Sequence, residues 1–231
     1  NVINLIAIDR DPDSIKYKKN IKSKKNFKLI EDKFSNIDKI VSDFMITNKI
    51  IGFDAIFFDF GLSSNQLEDI DRGFSFNIDS PLDMRMDKKG LSAYDLVNKF
   101  NEKDIADIIY KYGEERFANS IARKIVKYRD KKLIKTTFEL ASIINKSKKQ
   151  YSKKNPATKT FQAIRIYINN ELNEIKEALV KSEKLLLPGG RIIAVSFHSL
   201  EDRLVKEFFN HKGGKKWRSS RHYPEPVDTG Q

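Results

Sequence analysis

Apolar residues change their spacing along this chain, and the changes mark out its parts. Val2 to Ile8 is largely apolar and delivers Asp9, followed by Arg10-Asp11-Pro12. Ala55 to Phe58 is an unbroken apolar run that stops at Asp59 and becomes Phe60-Gly61-Leu62-Ser63-Ser64. Short runs bounded by an acid and turn residues read as strands buried on both faces. A third strand is expected around Phe27 to Ile30, with helices opening near Pro12 and Asp13 and running from about Ile37 to Thr47. Strands alternating with helices at this spacing predict a parallel sheet with right-handed crossovers. In open α/β sheets ligands bind beyond the carboxyl ends of the strands. Asp9 and Asp59 are therefore expected to share one crevice.

From about Glu68 to Ser152 the spacing turns helical, as in Ile105, Ile108, Ile109 and Tyr112, or Phe117, Ile121, Ile125 and Tyr128. This stretch reads as a helical insertion. After Pro156 one long helix is expected, with Phe161, Ile164, Ile168, Leu172, Ile175 and Leu179 on one face and Thr158 or Thr160 as N-cap. Pro188-Gly189-Gly190 should end it, and Arg191 to Ser196 should form another buried strand. The expected division is 1–67 with 157–210 as a discontinuous core, 68–156 as the insertion and 211–231 as a disordered tail. That tail holds the only Trp, two of the six prolines and almost no aliphatic residue.

Composition narrows the chemistry. With 44 Lys+Arg against 32 Asp+Glu the formal net charge is +12, which favours an acidic partner, nucleic acid first. A general Lys, Ile and Asn bias would raise the charge as well. Two stretches concentrate it: seven lysines and no acid from Ser14 to Ile30, and twelve basic residues against Asp130 and Glu139 from Arg123 to Lys154. There is no cysteine, so disulfides, thiolate catalysis and cysteine metal sites are excluded, and the three histidines show no metal-ligand spacing. No apolar stretch approaches the roughly 20 residues of a membrane helix, and a soluble cytoplasmic protein is expected. The chain begins at Asn1 inside a strand pattern and reads as a fragment.

Asp9 stands where a doubly wound sheet places the acid that accepts ribose hydroxyls, though a helix cap is an alternative for an acid after a strand. Phe34 can cover an adenine face or simply pack. Asp59-Phe60-Gly61 spells a protein-kinase signature, but the glycine-rich loop, strand lysine and catalytic Asp and Asn are missing. Ser196-Phe197-His198-Ser199 lacks a nucleophile elbow, so serine-hydrolase chemistry is not expected.

The blocks Asp59-Phe60-Gly61-Leu62-Ser63-Ser64-Asn65-Gln66-Leu67, Asp71-Arg72-Gly73-Phe74-Ser75-Phe76 and Pro81-Leu82-Asp83-Met84-Arg85-Met86-Asp87 belong together. With them go Tyr112 to Ala118, Pro156 to Ile166, and Ser196-Phe197-His198-Ser199-Leu200-Glu201-Asp202-Arg203. In this order, across about Ile6 to Phe209, they resemble the bacterial 16S ribosomal RNA cytosine-N4 methyltransferase family. The resemblance implies an α/β fold: a Rossmann-like class I methyltransferase sheet, here incomplete, with an inserted helical domain that helps hold RNA. It implies S-adenosyl-L-methionine as cofactor and 16S rRNA of the small ribosomal subunit as partner. Position by position, Asp9 matches the ribose-binding acid, Phe34 an adenine-side contact, and Asp59 and Gln66 further cofactor contacts.

The sequence departs from that family at both ends. Before Asn1 the family has its first strand and a Gly-Gly-His turn, and Arg218-Ser219-Ser220-Arg221 matches the family's closing segment poorly. Residues 1–231 are accordingly expected to bind the cofactor weakly, and an RNA-binding protein without methyl transfer is the alternative reading. A methyltransferase of DNA or protein amines is a third. Asp59 is the expected catalytic acceptor for the target amine. Arg85, Lys159, Arg165 and His198 are candidate substrate contacts, His198 equally a loop-ordering residue. Phe74 and Phe76 are either stacking residues or packing ones.

Overall fold

A computed structural model of the chain describes residues 4–14, 26–147 and 155–213. The strands fall where the short apolar runs predict them. β1 (Leu5–Asp9) pairs in parallel with β2 (Phe27–Glu31), in register from Leu5↔Phe27 to Asp9↔Glu31. β3 (Phe53–Asp59) pairs in parallel with β4 (Leu186–Val195), Ala55 opposite Arg191 and Asp59 opposite Val195. The molecule is thus mixed α/β with short parallel sheets. Among the described residues these strands form two two-stranded sheets rather than one continuous sheet, with no ladder joining β1 to β3.

Three further expectations are corrected. Pro188-Gly189-Gly190 does not end a helix but lies inside β4, where the register shifts between Phe53 and Ala55. Gly190 is needed there, since a Cβ would come within 2.9 Å of the Leu187 carbonyl oxygen and 3.0 Å of that of Phe53. The long helix is two: α7 (Ala157–Asn169) and α8 (Glu171–Glu183), parted by Asn170 in the left-handed region at φ 52°. Periodicity alone cannot show such a break, because the apolar face continues on both sides of it. Nor does Thr158 or Thr160 cap α7. Pro156 takes the N-cap position, Asn155 Oδ1 accepts the Ala157 N–H at 2.9 Å, and Thr160 is fully buried.

The helix expected near Pro12 and Asp13 is described only through Ser14, where residues 12–14 form a 3-10 turn; its continuation lies outside the described residues. So do most of the basic run after Ser14, residues 148–154 and, of the expected disordered tail, residues 214–231.

Two hydrophobic clusters hold the fold. α1 (Ile37–Asn48), α8 and α9 (Ser199–Lys212) cover one face of the second sheet, where Ile56, Phe58 and Phe60 meet Ile37, Val41, Ile175, Leu179 and Val205. The second cluster is helical. It joins α3 (Ala93–Lys99), α4 (Glu102–Gly113), α5 (Ala118–Arg129), α6 (Thr137–Asn145) and α7 through residues such as Leu96, Ile109, Ile125, Leu140 and Ile164. Burial of each such side chain stabilises by roughly 1.5–3 kcal/mol. Hydrophobic packing passes from one cluster to the other at Asn170, since α7 packs with the helices and α8 with the sheet. The opposite face of the second sheet stays open, leaving Phe57, Ile193 and Val195 exposed.

Candidate active site

A cavity of about 1020 Å³ occupies the space between the two sheets. Its walls are β1 along its length, most of β3, the turns that follow both strands, Phe34, Gln66 and Arg72. Asp9, Phe34, Asp59 and Gln66, drawn from three separate stretches of the sequence, all line it.

Asp9 closes β1. Its Oδ1 accepts the Asp11 N–H at 2.8 Å, an Asx-type turn, while its Oδ2 has no partner among the described residues. Burial pushes its carboxyl above the usual carboxylate range, against the Asp11 N–H and the nearby Arg10 and Arg72 charges. Asp59 closes β3 and is exposed, and its carboxylate makes no hydrogen bond among the described residues. Directly after it, the Phe60 N–H donates to the Val195 carbonyl at 3.1 Å and Gly61 takes φ +93°, turning the chain away. That turn leaves the Asp59 carboxylate at the strand end and uncommitted.

Phe34 packs against Phe60 and Phe58 at ring-centroid distances of 5.8 and 6.1 Å, so it is both a core residue and part of the cavity wall. Gln66 is held at both ends of its amide. Its Oε1 accepts the Ser63 N–H at 3.0 Å, completing the capping box of the short helix α2 (Ser64–Glu68), and its Nε2 donates to Asp11 Oδ2 at 2.6 Å.

Sequence reading gave no role to the buried polar group beneath these residues. Arg72, 4% exposed, donates through NH1 to Asp11 at 2.9 and 3.0 Å and to Asp13 at 2.9 Å, and through NH2 to the carbonyls of Arg85 and Met86. Arg10 donates to Asp87 at 2.8 Å and to the Asn169 carbonyl at 2.7 Å. Asn169 in turn bonds the backbone of Met84 and Met86. These contacts tie the irregular segment between α2 and α3 to the strand end that carries Asp9. In sequence Arg72 was visible only as part of the Asp71-to-Phe76 block, and its partner Asp11 stands 61 positions away.

The candidate substrate contacts lie outside the cavity wall. Arg85 forks onto Asp83, with Nε–Oδ1 3.1 Å and NH2–Oδ2 2.7 Å. Arg165 is doubly bonded to Glu171 at 2.8 Å through both Nε and NH2, so its guanidinium serves the start of α8. Lys159 is exposed and donates to the Glu114 carbonyl at 2.7 Å. Phe74 is buried and Phe76 packs edge-on against Phe161 at 5.1 Å; both contribute to the helical cluster. His198 is the N-cap of α9, its Nδ1 accepting the Glu201 N–H at 3.4 Å and its Nε2 lying 3.1 Å from Glu201 Oε1. Glu201 is fully buried and also accepts the Phe197 N–H at 2.8 Å. Burial pushes its carboxyl up, but His198, the Phe197 N–H and Arg165 outweigh that and hold it below the usual range.

The ligand atoms of Glu171, His198 and Glu201 lie within 4.8 Å of one another. Nδ1 accepts the Glu201 N–H, while Nε2 and Glu201 Oε1, 3.1 Å apart, are both buried without an aligned hydrogen bond.

The family model described as MraW methylase matches residues 1–222. The ribosomal RNA small subunit methyltransferase H of Caldicellulosiruptor saccharolyticus is 51% identical over 210 residues, 90% of this chain and 67% of the relative. The protein of the same name from Methylobacterium nodulans is 45% identical over 95% of this chain and 65% of its own length. That of Rickettsia bellii is 47% identical over 96% and 71% respectively. The chain thus spans about two thirds of the length of these curated relatives. Carrying the family's blocks on a parallel α/β frame, the chain belongs to the MraW methylase family.

Proposed function

We propose that the protein transfers a methyl group from S-adenosyl-L-methionine to the N4 amine of a cytidine in 16S rRNA of the small ribosomal subunit, in the cytoplasm. The observation that carries this reading is that Asp9 and Asp59, each at the end of a parallel strand, line one cavity. In this reading the two small sheets are the halves of a Rossmann-like sheet, and the helical cluster is an inserted RNA-holding domain. No helix among the described residues is long and apolar enough to cross a membrane.

The donor set fits such a cofactor. Asp9 has an unengaged carboxylate oxygen for a ribose diol, Phe34 offers an aromatic wall for a purine, and Asp59 brings negative charge to a cationic sulfonium. Gln66, braced by Ser63 and Asp11, sits between them on the same wall. At about 1020 Å³ the cavity stands at the upper end of the range for single-ligand pockets. Bound there, S-adenosylmethionine supplies an electrophilic methyl group.

The remaining work falls to the chain's own residues. The cytosine N4 lone pair is delocalised into the ring, which makes the amine a poor nucleophile. Asp59, together with the carbonyls of Phe60 to Leu62, accepts a hydrogen bond from N4–H and so localises the lone pair. As the bond from N4 to the methyl carbon replaces that carbon's bond to the sulfonium sulfur, which leaves as a neutral thioether, the surplus N4 proton would pass to Asp59. Arg85, braced on Asp83, and the exposed Lys159 are the candidate contacts for RNA phosphates, and Arg165 acts through Glu171. His198 orders the loop that faces the substrate.

The test is methyl incorporation by the whole protein into small subunits, naked RNA, DNA and protein, with the modified base identified. N4-methylcytidine in 16S rRNA is expected. RNA binding without any methyl transfer would instead favour the non-enzymatic reading, and methylation of DNA or protein alone the third.

A further inference from the structure

We propose that Phe197 is the platform on which the target pyrimidine stacks, an inference that rests on the methyltransferase reading and adds a residue to its site. Phe197 follows β4 by two residues and is 67% exposed, among the most open large apolar side chains of the described residues. Phe57, Ile193 and Val195 are also open, but they lie along the sheet face, where an apolar cover would explain them equally well. Phe197 differs in position. It lies beyond the carboxyl end of the strand, and a Cβ built on Gly61 would meet its ring at 3.3 Å. The ring therefore leans on the turn that begins two residues after Asp59.

Parallel register places Asp59 opposite Val195, so their side chains project from the same sheet face. An aromatic ring resting on the turn beside that carboxylate can hold a flat base against it. Among the described residues no ring pairing occupies Phe197.

The loop is also held still. The Phe197 N–H is anchored on Glu201, which is itself fully buried and faces His198. A platform fixed before binding loses little freedom when a base arrives. Two basic side chains stand on the adjoining helices: Arg203 of α9 pairs with the Glu114 carboxylate, to which Ser199 also donates, and the exposed Lys159 of α7 donates to the Glu114 carbonyl. Exposed aromatics interleaved with basic side chains are what unstacked RNA bases and their phosphates require. The occupant is accordingly an unstacked pyrimidine of single-stranded RNA.

The experiment compares the whole wild-type protein with Phe197→Leu and Phe197→Trp. A short single-stranded RNA carrying pyrrolo-cytidine, whose emission falls on stacking, is titrated against each. Methyl transfer, S-adenosylmethionine affinity and Tm are measured in parallel. Wild type and Phe197→Trp should quench the probe. Phe197→Leu should not, and its kcat/KM for RNA should fall roughly ten- to hundredfold, the range of lost base stacking, with cofactor affinity and Tm unchanged. Wild-type quenching that survives in Phe197→Leu, or no quenching by wild type, would overturn the proposal. If the leucine variant fails to fold, the wild-type and tryptophan titrations decide. A wild-type protein that transfers no methyl group refutes the underlying reading, while the quenching arm, which needs no chemistry, still decides the stacking claim.

Discussion

At the scale of single residues, the site separates into committed and uncommitted groups. Asp59 and one oxygen of Asp9 carry no hydrogen bond among the described residues, whereas Gln66, Asp11 and the two terminal nitrogens of Arg72 are engaged in holding the strand end together. Arg72 is buried among carboxylates, so Arg72→Leu strands the buried Asp11 and should cost about 3–5 kcal/mol of stability by urea denaturation. An effect under about 1 kcal/mol would show that the pair is not buried as described.

The two shifted carboxyls act in opposite directions on pH dependence. Asp9 has its folded pKa raised above 3.8, so the native state holds the proton longer than the unfolded chain, and stability falls as pH rises through the window just above 3.8. Glu201 has its folded pKa lowered below 4.5, so its contribution is complete above 4.5 and is lost as pH drops through the folded value. Glu201→Gln should therefore be less stable than wild type near pH 7, with the gap closing at low pH in denaturant titrations. A gap that stays constant with pH would contradict this. The acids at the strand ends were legible in the sequence because each terminates a local apolar run. The Arg72–Asp11 pair was not, because it is made by tertiary contact across 61 positions that no local pattern encodes.

At the scale of elements, the short apolar runs located β1, β2, β3 and the second half of β4, and helical spacing located α4 and α5. What escaped was set by backbone detail. Asn170 in the left-handed region divides α7 from α8, and the Pro188-Gly189-Gly190 stretch forms an irregular part of β4 rather than a helix end. Gly190→Val forces a Cβ against two carbonyl oxygens and should lower Tm by several degrees; an unchanged Tm would mean that the strand can shift its register. The edges of β1 and β3 that face the cavity have no ladder partner in the described residues.

At the scale of the whole molecule, two hydrophobic clusters are coupled through buried polar contacts: Arg10 with Asp87, Asn169 with Met84 and Met86, and Arg165 with Glu171. The helical cluster is thereby fixed relative to the strand end that bears Asp9. A net charge of +12 supplies the long-range attraction that a polyanionic substrate needs, and RNA affinity should fall steeply with added salt. The central claim is that the two strand-end acids serve one methyl-transfer site. Its most direct test is methyl transfer to 16S rRNA by the whole protein and by Asp59→Asn, with cofactor affinity measured on the same samples. The account predicts N4-methylcytidine from wild type and turnover at least about a hundredfold lower for the variant, the scale of a lost proton acceptor. An Asp59→Asn protein with wild-type turnover would contradict it.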